Sequence, residues 1–351
     1  MSNIFVILKR YSRFLIILLL SVVTVVAMLR LGEIEVSRAT LEQVNWGWYS
    51  VAFVVFYFSL VARGLRWQRI LRAMGWSVGR VYCISLIIAG MFGSMILPAR
   101  AGDIGRIAML KQDHDIPVAK AIASITTERA LDVFSILSLA AIAGFFALRN
   151  QIPMQVLQFM GLAGLLFLIG LVGLLTMPFL ENWFHDLPLL KRLLPPKLWQ
   201  IYQKIIGFGF SLIHGVRALG KSPVLLLVTL IESFVIWLYD GIILYFVLMS
   251  IGVDILFSQT LFSSMISGLS VAVPIMPGGV GQFELVLIGL FSLFDMPDSQ
   301  AYLAALLLRF ATFWTFILVG ALLTYLFGFS RLLDWSNQAK TITDSTPASV
   351  T

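Results

Sequence analysis

Long apolar runs alternate with short segments that hold nearly all of the charge. Six runs, Phe14 to Leu29, Trp48 to Ala62, Ala130 to Leu148, Met160 to Met177, Val224 to Met249 and Ala301 to Phe327, come close to the ~20 residues that an α-helix needs to cross a bilayer. Two further runs, Val81 to Leu97 and Leu261 to Phe294, do not read as simple crossings. The second is interrupted by Pro277-Gly278-Gly279-Val280-Gly281-Gln282-Phe283-Glu284, a helix breaker, three glycines and a carboxylate at the depth of a membrane helix. Irregular backbone and an ionisable group are tolerated there only where protein or a water-filled cavity supplies partners. The predicted fold class is an all-α polytopic membrane protein with about six full transmembrane helices and two re-entrant broken-helix elements.

Loop charge gives the expected topology. Lys9, Arg10 and Arg13 precede the first run, which ends Val26-Ala27-Met28-Leu29-Arg30 without a small-x-small cleavage site, so it reads as an uncleaved first span with a cytoplasmic N-terminus. Residues 30–47 carry Arg30 and Arg38 against Glu33, Glu35 and Glu42 and read as external. Segment 63–80 carries Arg63, Arg66, Arg69, Arg72 and Arg80 with no acid, and segment 98–129 carries Arg100, Arg106, Lys111, Lys120 and Arg129. Both flanks of Val81 to Leu97 therefore read as cytoplasmic, which a re-entrant element satisfies and a full crossing does not. Arg63 and Arg66, with Trp67, are expected to anchor a span at the cytoplasmic interface. Residues 180–222 are basic and read as cytoplasmic, with an interfacial amphipathic helix over Trp199 to Phe210. The membrane domain is taken as 1–335, followed by a polar, disordered and cytoplasmic tail, 336–351.

Composition agrees with this class. Of 351 residues, 59% are apolar and 12% charged. The formal charge of +7 lies in the loops, where topology explains it and a nucleic-acid partner is not required. One cysteine, Cys83, excludes an internal disulfide framework, and His114, His185 and His214 are too scattered to form a metal cluster. No cofactor is expected.

A shift of 179 residues lays Pro98-Ala99-Arg100-Ala101-Gly102 on Pro277-Gly278-Gly279-Val280-Gly281, and a shift of 180 lays Arg129 on Arg309. The pattern suggests an inverted repeat, about 10–150 and 155–330, of the kind in which broken helices meet near the bilayer midplane. The candidate backbone breaks are Pro98, Gly102, Pro277, Gly278, Gly279 and Gly281. Arg309 lies within an apolar helix and needs a partner or water. Glu284 is the expected partner, either in a purely structural ion pair or as the group that holds Arg309 ready for an anionic head group, whose phosphate the guanidinium fork matches. Glu128, Arg129 and Asp132 form a compact cluster at helical spacing, open to the same two readings. Arg100, Asp103 and Arg106 follow the first break, as a phosphate cradle or a positive-inside anchor. Glu232 and Asp240, eight residues apart on one helix side, either pair with arginines or serve a coupling-cation or proton path.

At these residues the chain resembles the lysylphosphatidylglycerol synthase transmembrane-region family. The likeness rests on Arg63-Gly64-Leu65-Arg66-Trp67, Pro98-Ala99-Arg100-Ala101-Gly102-Asp103 with Arg106, Glu128-Arg129 with Asp132, and Pro277-Gly278-Gly279-Val280-Gly281 with Glu284, over about residues 10–330. The resemblance implies a multi-pass protein of a prokaryotic cytoplasmic membrane that moves a lipid or lipid-linked head group between leaflets. It further implies membrane lipids as partners, with a homo-oligomer or a lipid-modifying enzyme as candidate protein partners. The soluble synthetase domain of the bifunctional members does not follow in this sequence, so lipid aminoacylation is not expected. The alternative class is a membrane-embedded enzyme or accessory subunit acting on a lipid-linked substrate, with Glu128 and Asp132 as acid or base; no nucleophile or nucleotide motif supports it.

Overall fold

The computed structural model describes residues 44–96, 101–148, 223–271 and 279–326, with single positions between 23 and 42. Every regular element among the described residues is helical: α1 (Trp46–Ala73), α2 (Arg80–Ile96), α3 (Ala101–His114), α4 (Val118–Leu148), α5 (Pro223–Ser250), α6 (Phe257–Ser270), α7 (Gln282–Leu293) and α8 (Asp298–Leu326). Helices α1, α4, α5 and α8 are long and apolar enough to cross a membrane. They account for four of the six expected crossings. The other two, Phe14 to Leu29 and Met160 to Met177, lie outside the described residues, as do the Trp199 to Phe210 helix and the tail.

The elements follow one order twice, long, short, short, long. Helices α1 to α4 have 28, 17, 14 and 31 residues, and α5 to α8 have 28, 14, 12 and 29. The turns repeat too. Gly75 and Gly252, just after the first helix of each set, take φ of 91° and 73°, and Asp115 and Asp295, before the last helix, take φ of 50° and 57°. Glycine and aspartate are among the residues best suited to this left-handed region. The first helices of the two sets run antiparallel: the Asn45 amide, at the start of α1, donates to the Ser250 carbonyl, at the end of α5. Helix α8 runs parallel to α1, with the Tyr49 and Tyr57 hydroxyls bonded to the Leu307 carbonyl and Thr315 Oγ1.

Two expectations need correction. Val81 to Leu97 does not dip and return alone; α3 is its returning arm, packed against α2 through glycine. A Cβ on Gly102 would sit 1.8 Å from the Gly90 carbonyl oxygen, so the two backbones touch where no side chain fits. Residues 101–129 are largely helical and not an open loop: they form the arm α3 and the first turns of α4, which begins twelve residues before the apolar run at Ala130. The second hairpin, α6 with α7, divides Leu261 to Phe294 in the same way. Pro98, Arg100, Pro277 and Gly278 lie outside the described residues.

Candidate functional site

Helix α1 continues beyond Ala62, and this brings its arginines into the protein. Arg63, Arg66 and Arg69 recur every third residue, on one helical face, opposite the antiparallel α5. Arg63 Nη2 donates to both oxygens of Asp240 at 3.1 and 3.3 Å, and Arg69 pairs with Glu232. Arg66 between them is fully buried; its Nη1 donates to Asp132 Oδ1 and to Ser233 Oγ, both at 2.7 Å, while Nη2 lies 3.7 Å from Glu128. The interfacial-anchor reading of Arg63 and Arg66 is thereby overturned. A guanidinium that has lost its water is kept by carboxylates, because an uncompensated buried charge costs several kcal/mol. Both α5 acids singled out for coupling, Glu232 and Asp240, likewise have arginine partners.

The returning arm α3 adds Asp103 and Arg106. Arg106 is buried; it donates from Nη2 to Glu128 Oε2 at 2.6 Å, and its guanidinium lies over the Trp67 ring at 4.1 Å. Arg129 on α4 donates from Nη2 to both Asp103 oxygens, at 3.0 and 3.1 Å, and its Nη1 is 3.8 Å from Asp132 Oδ2. Trp237 Nε1 donates to Asp132 Oδ1 at 3.0 Å. Glu128 and Asp132 are buried, so this cluster is not an interfacial pair in water.

The second hairpin builds the expected Glu284–Arg309 contact. Arg309 donates from Nε to Glu284 Oε1 at 2.6 Å and from Nη2 to Oε2 at 3.1 Å, and Nη2 also reaches the Gly279 carbonyl at 2.9 Å. Glu284 Oε2 accepts the Gly281 amide at 2.8 Å, which caps the start of α7. Gly279 and Gly281 have φ of 65° and 82°, the region that glycine enters without strain. The rings of Phe283 and Phe313 lie 4.7 and 5.2 Å from the Arg309 guanidinium. Directly after Arg309, α8 widens into a π-helical segment, Phe310–Trp314. Such a local widening is frequent at functional sites.

Both clusters face one cavity of about 310 Å³, whose lining includes Arg63, Arg106, Arg129, Trp237, Asp240 and Arg309. Apolar side chains, among them Met91, Met95 and Phe283, complete it. Five arginines (63, 66, 106, 129 and 309) stand against five carboxylates (103, 128, 132, 240 and 284), so the charges balance. An anion entering here meets arginines that can exchange an internal carboxylate for it. Among the described residues no group of histidine, cysteine, aspartate or glutamate could hold a metal ion.

Comparison with known proteins fixes the family. The sequence profile described as the lysylphosphatidylglycerol synthase TM region matches residues 7–320. The chain belongs to this family. A UPF0104 membrane protein of Methanocaldococcus jannaschii is 27% identical over 239 residues, 67% of this chain and 94% of that protein. Another UPF0104 membrane protein, from Methanothermobacter thermautotrophicus, is 26% identical over 326 residues, 90% of this chain and 92% of that protein. Glycosyltransferase AglD of Haloferax volcanii is 23% identical over 299 residues, 77% of this chain but 47% of its own length. No solved structure matches. Within this family member, Arg63 and Arg66 are the site residues that charge counting misplaced. The signal available was their i, i+3 spacing, continued at Arg69, on a helix with no proline to end it at Ala62.

Proposed function

We propose that the protein moves a lipid or lipid-linked head group between the leaflets of a prokaryotic cytoplasmic membrane, with its N- and C-termini in the cytoplasm. The observation that carries this reading is a cavity, bounded by broken-helix hairpins and long helices, that both Arg129 and Arg309 line, each bonded to a carboxylate. Discontinuous helices meeting at a buried ionic site are the architecture of secondary transporters. A phosphate replacing Asp103 or Glu284 would keep the guanidinium hydrogen-bonded throughout. The enzyme alternative is less well supported, because Glu128, Asp132, Asp240 and Glu284 are each already engaged by an arginine. Orientation rests on Lys9, Arg10 and Arg13 ahead of the first apolar run, and accessory contacts with a second copy or a lipid-modifying enzyme are compatible with it.

The test is head-group accessibility of labelled phosphatidylglycerol in liposomes containing purified protein. Wild-type protein is expected to expose inner-leaflet label, with Arg309→Ala and Arg129→Ala each losing most of that activity while remaining folded. Equal exposure with and without wild-type protein overturns the transport reading.

A further inference from the structure

Each half of the fold carries the same charged device. In the first, Asp103 lies in the opening turn of α3 and accepts Arg129 of α4; in the second, Glu284 lies in the opening turn of α7 and accepts Arg309 of α8. Carboxylate and arginine are 26 residues apart in one pair and 25 in the other. Each arginine stands eleven residues after the first residue of its long helix, Val118 or Asp298, a depth of roughly 16 Å at the helical rise. The two helices enter from opposite ends of the molecule. Helix α8 starts where α1 starts, with Tyr49 bonded to Leu307, and α4 starts where α1 finishes, with Trp67 Nε1 bonded to Ser124 Oγ at 3.3 Å. Both arginines line the same cavity.

The pairs differ in accessibility. Side chains of Asp103 and Arg129 are 19% and 37% exposed, whereas those of Glu284 and Arg309 are 5% and 13% exposed. The buried pair is also tied to the backbone on both sides, through the Gly281 amide and the Gly279 carbonyl. We infer that Asp103–Arg129 and Glu284–Arg309 are two equivalent latches that close the cavity alternately toward opposite membrane faces. Both pairs are formed in the state seen here; Glu284–Arg309 is the enclosed one, and access is greater at Arg129. In the opposite state the exposures are exchanged: Glu284 and Arg309 meet solvent, and Asp103–Arg129 becomes the buried pair. The ligand that fits both is the phosphate of a head group, which replaces the carboxylate of whichever latch is exposed. This deepens the transport reading and rests on it.

The latches are tested without transport, by the labelling rate of one cavity cysteine with a membrane-impermeant maleimide applied from each face of oriented proteoliposomes. Gly268 lines the cavity, and a Cβ there would have Trp237 at 3.8 Å as its nearest contact, so Gly268→Cys fits; Cys83→Ala removes the native thiol. Glu284→Gln is expected to raise labelling from the face where α8 begins at least about 5-fold and to lower it from the other, the size of a typical conformational coupling. Asp103→Asn weakens the opposite closed state and is expected to shift labelling by a similar factor toward the face where α4 begins. Shifts in the same direction, or unchanged rates in both folded variants, overturn the proposal. If Glu284→Gln does not fold, Asp103→Asn decides alone, because its pair is half-exposed: no shift, or a shift toward the α8 face, overturns it. Because labelling requires no lipid movement, latches that fail here leave the liposome result on transport standing as a separate answer.

Discussion

Replacing Arg66 separates an interfacial anchor from a buried structural cation. At an interface a lysine would serve as well as an arginine, since both extend to the head groups. In the structure Arg66 is fully buried and bonds Asp132 Oδ1 and Ser233 Oγ at 2.7 Å each from one nitrogen, with Glu128 3.7 Å from the other. A lysine ammonium is a point charge on a shorter reach and cannot span these partners as the planar fork does. Losing one such charge-assisted bond costs about 1.5–3 kcal/mol. Arg66→Leu goes further and leaves Asp132 in the interior with the Trp237 donor and Arg129 at 3.8 Å; breaking a buried pair in this way costs about 3–5 kcal/mol. Adding Asp132→Leu removes the stranded charge, and the double variant is expected to be at least about 1.5 kcal/mol more stable than the sum of the single losses implies. Unfolding in mixed micelles titrated with sodium dodecyl sulfate, followed by circular dichroism, measures wild type, Arg66→Lys, the two single leucine variants and the double variant. Arg66→Lys within about 0.5 kcal/mol of wild type, together with an additive double variant, would refute the buried-network account.

Other substitutions probe different parts of the fold. Gly102→Ala places a methyl 1.8 Å from the Gly90 carbonyl oxygen; since a C···O contact needs about 3.3 Å, α2 and α3 must part by about 1.5 Å, and the same titration should show a loss of about 1–3 kcal/mol or more. Gly64→Ala and Gly241→Ala should behave alike, because each new Cβ would lie 2.5 Å from the facing residue, Ile84 or Leu261; only Gly241 meets a movable side-chain tip, so Gly64→Ala should be the more damaging of the two. Asp240→Asn breaks a pair that is 13% and 29% exposed, so stability should fall by about 1 kcal/mol or less while the liposome rate drops, and an unchanged rate would remove Asp240 from the cavity's function. Leu318, 73% exposed on α8, faces the surroundings, and Leu318→Ala should shift stability by less than about 0.5 kcal/mol.

Much of this architecture is written along the chain. The apolar runs located all four described crossings, and the Pro-Gly break at 277–281 correctly signalled a short helix pair in place of one span. The Glu284–Arg309 contact was also legible, because one intramembrane arginine and one intramembrane carboxylate, 25 residues apart, have few other ways to avoid an isolated charge. What charge counting could not see was pairing: Arg63, Arg66 and Arg106, counted as loop charge, sit on helices whose packing gives them carboxylate partners.

Sequence alone determined the class, a polytopic helical membrane protein, because period and hydrophobic length depend on local chemistry and bilayer thickness. It also determined that charge would be found at membrane depth. Only the tertiary structure decided the pairings. The partners of Arg66 are 66 and 167 residues away in the chain, and those of Arg63 are 177 away. Which carboxylate meets which guanidinium follows from how α1, α4 and α5 cross. Likewise, the two pairs of like chemistry differ in exposure only through packing, which encloses Glu284 and Arg309 more fully than Asp103 and Arg129.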